Sequence, residues 1–117
     1  MKRPERRQAV RLPLTFMVRY RYPGSQRAVW SSSPLRNFSR LGARFISEYP
    51  FQVGETVALQ LILPTSEQPV WVESRVAWTQ PSRLGMTELG VAFQLADVQT
   101  REAITEAAVF FSKEGQR

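Results

Sequence analysis

Cysteine and histidine are both absent from this 117-residue sequence. Without cysteine there is no disulfide framework, no thiolate nucleophile and no thiol metal site. Without histidine the commonest metal ligand and general base is missing as well. Most catalytic constellations are thereby excluded. Long apolar runs are also lacking: none approaches the length needed to span a bilayer, and Met1-Lys2-Arg3-Pro4-Glu5-Arg6 has no secretory hydrophobic stretch, which points to a cytoplasmic address. Carboxylates are few and scattered. Glu48, Glu55, Glu67, Glu73, Glu88 and Asp97 show neither a general acid–base pairing nor metal-ligand spacing, so the expectation is a non-enzyme with no metal and no cofactor.

What is present is positive charge in one place. The net charge is +6. Up to Tyr22 the cations are Lys2, Arg3, Arg6, Arg7, Arg11, Arg19 and Arg21 against the lone anion Glu5, whereas the remainder balances nine cations with nine anions. The whole excess therefore sits in the first segment, which suits an anionic partner such as a nucleotide, a nucleic acid or an acidic membrane surface. Residues 1–11 show no apolar periodicity and read as a flexible basic tail; residues 12–117 read as one folded domain.

Within that domain apolar side chains recur with period two. Leu14, Phe16, Val18, Tyr20 and Tyr22 form a first strand. Ala28 to Trp30 open a second that resumes near Leu35, and Gly42 to Ile46 is a short third. Val57, Leu59, Leu61 and Leu63 mark a fourth. Val70, Val72, Ser74, Val76 and Trp78 share one face of a fifth, and after a loop from Gln80 to Thr87 a sixth carries Leu89, Val91, Phe93 and Leu95. Only the end changes period: Ile104, Ala107, Ala108 and Phe111 fall at helical spacing, with Asp97 or Thr100 as N-cap. The expected fold is all-β: a small antiparallel six-stranded β-barrel, closed to avoid exposed edges, with a C-terminal α-helix over one end.

Two motifs carry chemistry. Arg6-Arg7-Gln8-Ala9-Val10-Arg11 supplies guanidinium forks that match phosphate oxygens and guanine edges. Asn37-Phe38-Ser39-Arg40-Leu41-Gly42 (NxSxxG) supplies an amide, a hydroxyl and a glycine. The arginines are either ligand contacts or a solvated basic tail; Asn37 and Ser39 either contact a ligand or close a local turn at a strand end. Gly42 serves a positive φ or a close ligand approach. Arg40 and Arg44 either add positive potential to the site or face solvent.

The order of basic RRxxxR, first strand, NxSxxG at a strand end, long hairpins and Gly90-Val91-Ala92-Phe93 on a late strand resembles the PilZ domain, the bacterial receptor module for cyclic di-GMP, from about Glu5 to Phe111. The resemblance implies that Arg7 and Arg11 contact phosphate and guanine. It implies that Arg6 stacks on a purine and bears on whether one ligand or an intercalated pair is bound. Asn37 would accept from the guanine ring imine and amine, where many members have aspartate, and Ser39 would offer its hydroxyl. Trp78 corresponds to an aromatic beside the dinucleotide, or else packs in the core or at the barrel rim. Gly90 corresponds to a glycine where a side chain would crowd the ligand, or else marks a β-bulge.

The function implied is a cyclic di-GMP receptor that changes conformation on binding. A chain with no room for an effector domain is expected to signal through a partner protein in motility, polysaccharide synthesis or regulation. The rival expectation is a small barrel that binds RNA or single-stranded DNA through the same basic arm and aromatics such as Trp30, Trp71 or Trp78.

Overall fold

The computed structural model describes residues 16–21, 30–94 and 97–115. These form six strands and a terminal helix: β1 Met17–Arg21, β2 Ser31–Phe38, β3 Gly42–Ser47, β4 Thr56–Ile62, β5 Val70–Pro81, β6 Thr87–Gln94 and α1 Val98–Gly115. The strands close in the order β1-β2-β3-β6-β5-β4, every neighbouring pair antiparallel, with β4 returning to β1. The expected six-stranded barrel with a C-terminal helix is thus the observed architecture.

Period-two patterning works because alternate side chains point to opposite faces of a strand. The inward set, including Val18, Tyr20, Leu35, Phe45, Val57, Leu59, Leu61, Val72, Val76, Leu89 and Val91, fills the barrel. Its two fully buried serines are satisfied: the Ser74 hydroxyl donates to the Val57 carbonyl at 3.1 Å, and the Ser47 hydroxyl donates to the Tyr49 carbonyl at 2.8 Å. With the interior packed, any binding site lies on the outside wall or at an end.

The helix closes one end. Its Ile104 and Ala107 are buried, while Phe110 and Phe111 pack on Phe16, with Phe16 and Phe111 ring centroids 4.9 Å apart, edge to face. Asp97 is the N-cap: its carboxylate accepts the Thr100 backbone N–H at 2.7 Å and the Thr100 hydroxyl at 3.2 Å. The Thr100 N–H holds the Asp97 carboxyl below its ordinary range.

Three expectations need correction. The second strand does not break and resume: β2 is continuous from Ser31, Trp30 stands just before it, and Ala28 lies outside the described residues. The loop expected from Gln80 to Thr87 is shorter. β5 runs on to Pro81 and β6 starts at Thr87, so residues 82–86 connect them: Ser82 N–H donates to the Met86 carbonyl at 2.8 Å, and the tip is a tight turn around Leu84 and Gly85 closed by the Met86 N–H donating to the Arg83 carbonyl at 2.9 Å. Trp78 does not share the inward face of Val76. A register shift between Val76 and Trp78 is a β-bulge that turns Ala77 and Trp78 outward in succession. The first strand is described from Met17 to Arg21; Leu14 and Tyr22 lie outside the described residues, as do Leu95 and the tail of residues 1–11.

Candidate functional site

Asn37, Phe38 and Ser39 end β2 and continue its alternation. Phe38 therefore points into the core, 4% exposed, and its two polar neighbours point out together. The bend that follows is hydrogen-bonded locally. Ser39 N–H donates to the Gly42 carbonyl at 2.9 Å, Leu41 N–H donates to Ser39 Oγ at 3.1 Å, and Phe38 N–H donates to Asn37 Oδ1 at 2.8 Å. The turn reading of the motif is thus real. It uses acceptors only, so the Asn37 amide N–H groups and the Ser39 O–H retain their donor capacity, and among the described residues neither side chain donates.

These two side chains open onto a cavity of about 260 Å³ lined also by Gly42, Ala43, Arg44, Ala77, Trp78, Gly90 and Val91. Three strands beyond β2 contribute, and the β5 bulge is what brings Trp78 to the wall. The indole lies across Gly90, its register partner on β6, so a β-carbon there would collide with Trp78 Nε1 and Cε2. Gly90 is required by this packing; the bulge expected there is on the opposite strand.

Gly42 has a comparable but harder constraint. Its β-carbon would meet the Val91 carbonyl oxygen of the neighbouring strand, and its φ is not among the positive ones, which among the described residues belong to Leu84, Gly54 and Gly85. The expectation of a positive φ is corrected: the β6 backbone approaches Gly42, which also lines the cavity.

Charge at the cavity comes from Arg44, whose Nε lies 3.1 Å from Glu88 Oε2, paired in charge but out of line for a hydrogen bond. Glu88 also accepts from Gln80 Nε2 at 2.9 Å and faces Arg36 Nε at 3.7 Å. Arg40 is exposed and does not line the cavity. The site therefore gathers Asn37, Ser39, Gly42, Trp78 and Gly90, adds Arg44, Ala43, Ala77 and Val91, and leaves out Arg40. Ala77 and Val91 carried no chemical signal in the sequence. Arg6, Arg7 and Arg11 lie outside the described residues. Among the described residues no group of carboxylates has metal-holding geometry, and no helix is long and apolar enough to cross a membrane.

The family model for the PilZ domain matches residues 5–110. Among solved structures, the Bacillus subtilis inhibitor of motility MotI/DgrA superposes with a TM-score of 0.66 at 15% identity over 88% of this chain. This chain spans about half of that one, 49% of its length. No curated protein matches. At that identity the structural likeness speaks for the fold, whereas the family match runs from the basic segment into the helix: this chain belongs to the PilZ domain family, a family of cyclic di-GMP receptors that are generally not enzymes.

Proposed function

We propose that the protein binds cyclic di-GMP at the Asn37–Ser39–Trp78 cavity, with Arg7 and Arg11 closing over the ligand, and passes the resulting change of surface to a partner protein. The observation that carries this reading is where the basic leader joins the barrel. Leu35 N–H donates to the Phe16 carbonyl at 2.8 Å, two residues before Asn37. Arg11 precedes Phe16 by five residues, a chain length that spans at most about 17 Å. A leader departing beside the NxSxxG bend has the motif's arginines within reach of the cavity; one departing from the far end of the barrel would not.

The cavity's size supports the same division of labour. At about 260 Å³ it is smaller than the roughly 300–1,000 Å³ of ordinary ligand pockets, so it holds part of a dinucleotide and leaves the rest to be covered. Because Asn37 Oδ1 takes the Phe38 N–H, a donating role replaces the accepting one expected for it: the free donors of Asn37 and Ser39 suit the O6 and N7 acceptors of a guanine edge or a phosphate oxygen. Trp78 offers an indole beside which a base stacks, and arginine forks match the two phosphodiesters bidentately. Ordering the leader costs about 1–2 kcal/mol per residue, which the charge-assisted contacts offset. The free and bound forms would then differ most at the mouth of this cavity.

Calorimetric titration with cyclic di-GMP tests the reading. Arg7→Ala and Arg11→Ala should each weaken binding by at least tenfold, whereas Lys2→Ala should leave it within twofold, on the scale of roughly 1.5–3 kcal/mol for a hydrogen bond to a charged group. Equal losses in all three variants would reduce the leader to nonspecific charge. Competition by a generic oligonucleotide at physiological salt, with affinity growing with its length, would favour the nucleic-acid reading instead.

A further inference from the structure

The β5–β6 turn places leucine where its backbone is unfavourable and its side chain is unused. Leu84 adopts φ 56° and ψ 36°, Gly85 follows with φ 76°, and Met86 N–H closes onto the Arg83 carbonyl. Two successive central residues with positive φ make a tight turn that favours Asn-Gly or Asp-Gly, because a short polar side chain tolerates the left-handed region and a branched apolar one does not. A leucine there is ordinarily excused by packing. Leu84 is 96% exposed, so neither the local backbone nor the core accounts for it.

Its surroundings make a surface. Leu84 borders a cleft of about 470 Å³ with Arg36, Ile46, Arg83, Met86 and Glu88. Arg36 and Arg83 are exposed at the rim, while Glu88, the only carboxylate in that lining, is turned in, 12% exposed, toward Arg36, Arg44 and Gln80. The accessible charge is positive and the projecting groups are apolar. We infer that the β5–β6 hairpin tip is a docking surface for an acidic amphipathic segment of a partner protein, with Leu84 as the inserted anchor and Arg36 and Arg83 pairing with its carboxylates. Glu88 links this cleft to the ligand cavity, because it lies against both Arg36 and Arg44. An anion that draws Arg44 away leaves Glu88 to Arg36 and alters the rim. That coupling rests on the receptor reading above; the docking surface does not.

The test uses the full chain and a fluorescein-labelled amphipathic peptide of leucine and glutamate, with anisotropy giving affinity and backbone amide NMR shifts locating the contact. Binding should map to residues 82–88 and weaken about tenfold or more in Leu84→Asn, as expected for losing one buried leucine. It should weaken in Arg83→Glu, and the peptide with lysine for glutamate should bind at least tenfold less well. The same Leu84→Asn variant should melt a few degrees higher than the parent, since asparagine relieves the turn. No binding, an affinity unchanged in Leu84→Asn, equal binding of the lysine peptide, or a lower melting temperature each overturns the proposal. So does sedimentation showing a dimer that Leu84→Asn dissociates, which would make a second copy the occupant. Cyclic di-GMP titrated into both the parent chain and Leu84→Asn separates the two ideas: failure of the parent chain to bind it sinks the receptor reading, while peptide results at the tip judge the docking surface alone.

Discussion

Gly42 and Gly90 both border the cavity proposed to hold the ligand, and both would place a β-carbon inside another atom's radius, yet alanine at the two positions should fail in different assays. At Gly42 the obstacle is the Val91 carbonyl oxygen, with the Val91 carbonyl carbon 3.2 Å and the Ala92 Cα 3.4 Å away. All three are backbone, held by the β3–β6 ladder in which Gly42 pairs with Ala92 and Ala43 with Val91. Nothing there can rotate away, so β3 must separate from β6. Overpacking of this kind costs typically 1–3 kcal/mol and sometimes more, which for a domain of this size lowers the melting temperature by on the order of 10 °C. At Gly90 the obstacle is the Trp78 indole, with Cδ1 2.8 Å from the built carbon. Trp78 is 39% exposed, so its ring can swing outward at little cost to the fold. The loss falls on binding instead, because the displaced indole leaves the cavity wall. Base–aromatic stacking is worth about 1–3 kcal/mol, so Gly90→Ala should weaken cyclic di-GMP by roughly 5- to 150-fold while melting within a few degrees of the parent. A double-mutant cycle makes the attribution strict. In a Trp78→Ala background there is no indole to displace, so Gly90→Ala should add almost nothing. Additive losses of affinity, or a Gly90→Ala variant as unstable as Gly42→Ala, would refute the reasoning.

Glu88→Gln removes the carboxylate that faces Arg44 beside the cavity; cyclic di-GMP should bind a few-fold tighter, by calorimetry, with the gain shrinking as salt is raised because the pair is partly exposed. Phe38→Ala empties a core position between the two motif side chains, where Phe38 contacts Phe16 and Phe93 with centroids 5.6 and 5.8 Å away; chemical denaturation should show a loss of about 3–5 kcal/mol. For Asp97, whose folded carboxyl is held below its ordinary 3.8 by the Thr100 N–H, the ionised cap contributes stability above that ordinary value. The contribution fades as pH falls through the lower folded value. The parent should therefore outlast Asp97→Asn on heating at neutral pH, and the difference should close on acidification below pH 3.8; a difference constant across that window would show that the charge is irrelevant.

How much of this was legible in the sequence depends on which interactions are local. Alternation is a property of consecutive residues, so Val18, Leu59, Val72 and Leu89 announce their strands, and the i, i+3, i+4, i+7 spacing of Ile104 to Phe111 announces the helix. Asn37 and Ser39 stand out in the sequence as the polar positions of NxSxxG, and the same alternation turns both outward around the inward Phe38. Trp78 defeated the rule. Strict alternation from Val76 puts it inside the barrel, and only the bulge, which depends on pairing with β6, turns it to the surface. The loop expected from Gln80 to Thr87 was drawn too long likewise, since Pro81 does not advertise the end of a strand. The meaning of Gly42 and Gly90 could not be read at all from their neighbours in the chain, because the atoms that forbid a β-carbon there belong to other strands.

The site sits outside the barrel for a reason internal to the fold. Six strands closed around Phe45, Leu59, Leu61 and Leu89 leave no interior room, so a ligand must find concavity on the outer surface. Concavity arises where the pleat is interrupted. On this wall the bulge raises Trp78, Gly90 withholds a side chain beneath it, and Gly42 lets β3 press against β6. Two missing β-carbons and one extra residue thus shape a depression between Asn37 and Trp78, and Phe16, the first described residue, is bonded to Leu35 two residues before Asn37. A leader joined at Arg21, the opposite end of β1, would carry the same arginines and the same net charge while standing a strand's length from the bend. A variant with the RRxxxR segment separated from Phe16 by an inserted flexible stretch of glycine and serine should therefore keep its charge and lose affinity gradually with linker length, by about 0.6 kcal/mol per doubling of the loop. An affinity indifferent to the insertion would mean that the arginines act as a diffuse field and not as a lid.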